Sequence, residues 1–96
     1  MFRHLVLVKW KTGASDAERQ AMREAIEQSP SQVPEIIAAR VGVDVGRGPN
    51  NYDMATVFDF EDQAAFKRHI ASGAHQAYVQ GPANAVAQLA VVQHSW

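Results

Sequence analysis

The stretch "EIIAARVGVDVGRGPNNYDMATVFDF", residues 35–60, decides the fold of this chain. Its first part, 35–45, is apolar and alternates late through Val41, Val43 and Val45, the pattern of a strand. Its last part, 52–60, is rich in aromatic and β-branched residues and reads as a second strand. Between them, "GRGPNNYD" (46–53) matches neither a GxGxxG dinucleotide loop nor a lysine-bearing phosphate loop, so it reads as a hairpin connection. Two strands in direct succession, in the middle of a short chain, are the signature to be placed in context.

On the N-terminal side, "HLVLVKW" (4–10) is a short apolar strand. A turn at "TGAS" (12–15) leads into "SDAERQAMREAIEQS" (15–29), a helix opened by the capping box Ser15-x-x-Glu18. Ala21, Met22, Ala25 and Ile26 share one face of it, and Pro30 and Pro34 are expected to end it. On the C-terminal side, "EDQAAFKRHIAS" (61–72) is a second helix, acidic at its start and basic towards its end, with Gly73 expected as its C′ stop. A looser helical or extended connector, "AHQAYVQGPANAV" (74–86), precedes a fourth strand, "AQLAVVQHSW" (87–96). The order β-α-β-β-α-β is the ferredoxin-like arrangement, an α+β fold with a four-stranded antiparallel sheet and both helices on one face. The 96 residues suffice for a single domain, 1–96, with a modest core.

Composition excludes several function classes. There is no cysteine, which rules out thiol catalysis, disulfides and thiolate metal sites. A formal net charge of −1, with both signs interspersed, gives no electrostatic reason to expect nucleic acid or an anionic membrane surface as partner. The apolar run after Met1 is too short for a secretory core or a membrane span, so a soluble cytoplasmic protein is expected.

The strand faces point to a partner. His4, Val6, Val8 and Trp10 share one side of the first strand, with Leu5 and Leu7 on the other. In the third strand Met54, Thr56, Phe58 and Phe60 oppose Ala55 and Val57; in the last, Leu89 and Val91 oppose Ala90 and Val92. A solvated sheet face alternates more cleanly with polar residues than this. Two helices on one side leave the other uncovered, and a second copy of the chain is the economical cover. The expectation is a homodimer joined through the open sheet faces near Leu5, Leu7, Val57 and Val92. An RNA-recognition domain shares the element order but displays stacking aromatics within a basic surround on its open face, which this chain lacks.

"HLVLVKWK" (4–11), the capped first helix and "AFKRHIASGAH" (65–75) resemble the stress-responsive dimeric α/β-barrel domain family over essentially the whole chain. The resemblance implies two ferredoxin-like protomers packed sheet against sheet into a barrel. One plant member is a cofactor-free polyketide cyclase with catalytic His and Tyr side chains in a cavity between sheet and helices. By position, His4 matches the cavity histidine of its first strand, and His75 its catalytic histidine after the second helix. Two tyrosines of that cyclase fall on His69 and Ile26 here, so its particular substrate does not carry over.

The residues thus open two readings. In one, His75 and His4 are a catalytic acid–base pair. His69 and apolar walls from Val6, Val8, Ile26, Phe58 and Leu89 then bind a small hydrophobic, oxygenated molecule. An unperturbed imidazole pKa of about 6.5 suits either role near neutrality. In the other, the histidines are hydrogen-bonded core or edge residues, and the protein is a non-catalytic binding or stress-protective dimer. His69 is expected at the cavity rim and His94 on the dimer side. His69 and His75 lack helical-pair spacing, and "IASGA" between them has no carboxylate, so no metal and no organic cofactor are expected.

Overall fold

The structure, a computed structural model, describes residues 1–46 and 48–96; Arg47, in the expected hairpin connection, lies outside them. The elements run β1 (Phe2–Trp10), α1 (Asp16–Gln32), β2 (Ile36–Val43), β3 (Met54–Phe60), α2 (Gln63–Ile70), α3 (Gly73–Gln80), a 3₁₀ turn (Pro82–Ala85) and β4 (Val86–Ser95). The four strands form one sheet in the order β2-β3-β1-β4, every neighbouring pair antiparallel. This is the ferredoxin-like order expected from the sequence. Around the central hairpin, the Asp44 carboxylate accepts from the Gly46 amide (2.8 Å) and the Asn51 side-chain amide (3.0 Å). Gly46 and Gly48 both stand at positive φ, the region a tight connection reaches most cheaply with glycine.

Helix α1 starts as the sequence pattern predicts. Ser15 Oγ accepts from the Glu18 amide and Glu18 Oε1 from the Ser15 amide, both at 3.1 Å. It does not stop at Pro30, however, but runs through that residue to Gln32. A proline there removes the amide that would reach the Ile26 carbonyl. The Ser29 hydroxyl donates to that carbonyl instead, at 2.7 Å, so the acceptor stays satisfied and the helix continues. The end comes at Val33, just before Pro34, whose ring disfavours helical backbone in the residue it follows. Met22 and Ile26 are buried on the inner stripe, while Ala21 is exposed.

The second correction concerns residues 73–80. Gly73 is not a C′ stop; it is the first residue of α3, so of the helical and extended alternatives for the connector the helical one holds over Gly73–Gln80.

The core lies between the sheet and the helices in two clusters. One joins Phe2, Val33, Ile36, Phe60, Ala65 and Phe66; the other joins Val6, Val8, Met22, Ile26 and Met54. Phe58 and Ala39 pack against both. The opposite sheet face carries Leu7, 43% exposed, and Val92, 60% exposed, beside half-buried Leu5 and Val57. One end of that face is charged, which the parity reading did not include. Arg3 grips Asp59 with two hydrogen bonds of 2.7 and 3.0 Å, and its guanidinium lies 4.6 Å from the Trp96 ring centroid. The Arg3 hydrogen bond holds the Asp59 carboxyl below the usual carboxylate range. His94 is opposite Arg3 in the sheet and therefore on this face.

Candidate functional site

Between the inner sheet face and the helices lies a cavity of about 700 Å³. The β-sheet register builds its floor: His4 pairs with Phe58, Val6 with Thr56, and Val8 with Leu89, so these side chains project to one side. Ile26 of α1 closes a wall, and His69 and His75 enter from α2 and α3. All eight residues singled out in the sequence line this one space. They are not equivalent. Val6, Val8 and Ile26 are buried core residues, whereas Leu89 is 53% exposed. Leu89 sits on an edge strand, so it marks the mouth of the cavity instead of a closed wall.

Two histidines meet because one serine joins their helices. The Ser72 hydroxyl donates to the His69 carbonyl at 2.6 Å, in the last turn of α2, and accepts from the His75 amide at 3.2 Å, as the N-cap of α3. Their rings approach edge to face with centroids 5.2 Å apart. His69 also packs on Phe60 (5.6 Å), and His4 on Phe66 (4.9 Å) and Phe58 (6.3 Å). His69, expected at the rim, is half-buried, and its Nδ1 is enclosed.

The electrostatics favour neutral imidazoles. Burial, then the neighbouring His69 and His75, push the His4 pKa below its ordinary value. Burial and then His75 do the same for His69, against a small opposing pull from Glu35; burial alone lowers His75. All three shifts favour the neutral imidazole near pH 7. The Nδ1 atoms of His4 and His69 are buried without a hydrogen bond among the described residues. Among the described residues, those lining the cavity include no Asp, Glu, Lys or Arg. Among the described residues no three His, Cys, Asp or Glu side chains converge as a metal site would require. No helix among them is long and apolar enough to cross a membrane.

The residue that the sequence reading missed is Tyr78. It lines the cavity with its ring centroid 6.4 Å from that of His75 and packs against the Val6–Val8 cluster. Burial pushes its phenol up to about 12. The signal was its i, i+3 spacing from His75, which has meaning only once residues 73–80 form a helix.

The chain is similar in structure to a protein of Arabidopsis thaliana, with TM-score 0.88 at 18% identity, over 99% of this chain and 94% of that one. It is similar to a hydroxynitrile lyase of Passiflora edulis, with TM-score 0.87 at 18% identity, over 97% and 90%. It is also similar to a dimeric ferredoxin-like protein of Thermobifida fusca, with TM-score 0.84 at 25% identity, over 99% and 90%. The first two likenesses show a shared fold. No curated protein matches the sequence significantly. The model of the stress responsive A/B barrel domain matches residues 2–94, and the chain belongs to that family.

Proposed function

We propose that the protein is a homodimer whose protomers each use the histidine-lined cavity for cofactor-independent acid–base chemistry on a small, hydrophobic, oxygenated molecule. The observation that carries this reading is the convergence of three histidines, each shifted towards its neutral form by burial, on one apolar cavity with no Asp, Glu, Lys or Arg among its described lining residues. A charged substrate would find no counter-ion there; an alkyl or aryl molecule with a carbonyl or hydroxyl group finds apolar walls and imidazole nitrogens. The volume falls within the range of small-molecule sites, roughly 300–1,000 Å³. A lyase or cyclase step needs little more than this. His75 takes a proton from a carbon beside a carbonyl, or from a hydroxyl, and His4 donates a hydrogen bond to the oxygen that gains charge. The proton returns from His75 as the product forms, so no oxidant or reductant enters the balance. The Passiflora edulis neighbour, a hydroxynitrile lyase, shares the fold and is an enzyme of the lyase class.

Native mass spectrometry, followed by organic extraction of protein purified without added ligand, tests the cavity. A neutral oxygenated molecule should co-purify or, failing that, Nile red should bind at a stoichiometry of about one per chain. A protein that carries no ligand and takes up no probe overturns the reading.

The dimer rests on the open face. Leu7 and Val92 are exposed there, and both core clusters among the described residues lie on the opposite side of the sheet. The dimeric ferredoxin-like protein of Thermobifida fusca supports the same assembly. Replacing Leu7 with aspartate puts an unpaired charge into the contact, which costs several kcal/mol when buried. Dissociation should become easier by about a hundredfold or more. Sedimentation velocity at micromolar concentration should show a wild-type dimer and a monomeric or unfolded variant; a wild-type monomer rules the assembly out.

A further inference from the structure

We propose that Tyr78 is the ligand-orienting residue of this cavity, its hydroxyl donating a hydrogen bond to a carbonyl oxygen of an aryl or alkyl ketone held beside His75. This rests on the cavity reading above and names the functional group that the site selects.

The placement comes from α3. Ser72 caps that helix and fixes the His75 backbone, and Tyr78 follows one turn later on the same side. The ring centroids, 6.4 Å apart, leave the two side chains adjacent without touching through their polar ends in a hydrogen bond. The Tyr78 hydroxyl has no hydrogen-bond partner among the described residues. It is also absent from the sealed unpartnered atoms, which among those residues are His4 Nδ1, Arg23 Nε and His69 Nδ1. A half-buried phenol in an apolar wall ordinarily finds a partner. Tyr78 lines the cavity, and a ligand held there is the partner that we assign to its hydroxyl.

The chemistry divides cleanly between the two side chains. At neutral pH the phenol stays protonated, since burial raises it to about 12, so Tyr78 donates and does not act as a base. The imidazole of His75 is neutral and accepts. A ketone needs that combination: a donor at its oxygen and an acceptor near the adjacent C–H. Tyr78 forms no bond to the ligand other than the hydrogen bond and keeps its proton throughout.

Butyrophenone and butylbenzene, which share shape and differ by the carbonyl oxygen, separate this inference from the reading it rests on. Both should bind the wild-type protein, butyrophenone with its carbonyl stretch moved to lower wavenumber in isotope-edited infrared spectra. In Tyr78→Phe, butylbenzene affinity should hold, while butyrophenone should bind about tenfold more weakly and lose the infrared shift. Equal butyrophenone affinity and an unchanged stretch in the variant overturn the role of Tyr78 and leave the cavity intact. Failure of both probes to bind the wild type overturns the cavity reading and the role of Tyr78 with it.

Discussion

Phe60→Ala is expected to cost about 3–5 kcal/mol of folding stability, a large share of the roughly 5–15 kcal/mol that holds a domain together. Phe60 is 1% exposed and meets Phe66 edge to face at 5.3 Å and Phe2 at 6.4 Å. It also backs His69 at 5.6 Å, so the variant should loosen the histidine wall as well as the core. Truncation leaves a cavity that three aromatic neighbours refill only in part. Phe60→Leu keeps most of the volume and should lose less than about 1.5 kcal/mol. Urea unfolding at matched protein concentration measures both, since dimerisation makes stability concentration-dependent. A loss below about 1 kcal/mol for the alanine variant would show that the first core cluster contributes little.

His75→Ala should lower any turnover by about 10²- to 10⁴-fold, the usual range for a general acid or base, while the dimer remains intact. His75 is half-buried and its backbone cap is unaffected by the change, so folding should survive. The pH dependence follows from the direction of the shifts. His75 works as a base only when neutral, and burial lowers its pKa, so activity should fall on acidification with an acid limb below about pH 6.5 and stay level above it. Stability moves the same way. His4, His69 and His75 all titrate lower in the folded chain than in the unfolded one. Between those values the unfolded chain binds more protons, so stability is fully present above about pH 6.5 and is lost as pH falls towards the folded values. Thermal midpoints at neutral and mildly acidic pH check this. An acid limb that survives His75→Ala would assign the base to His4 or His69.

Much of this arrangement is visible in the residues themselves. Strand parity alone puts His4, Val6 and Val8 on one face, and the succession of two strands in 35–60 fixes the element order. What escaped has local causes. Pro30 looks like a terminator because proline chemistry usually ends a helix, but the neighbouring Ser29 hydroxyl replaces the missing donor. Helix α3 is eight residues long, buries none of its side chains fully and ends at Gly81-Pro82, so it offers no apolar stripe to read. Tyr78 went unnoticed with it. The Arg3–Asp59 pair was missed because two residues 56 apart become neighbours only through the β1–β3 register.

The single hydroxyl of Ser72 is a splice between two helices. It holds the carbonyl of His69 and the amide of His75 at once, so the last turn of α2 and the first turn of α3 share one hydrogen-bonding group. The spacing between the two histidine backbones is thus set by a side chain that itself carries no acid–base chemistry, and Ser72→Ala would remove both ties in one substitution.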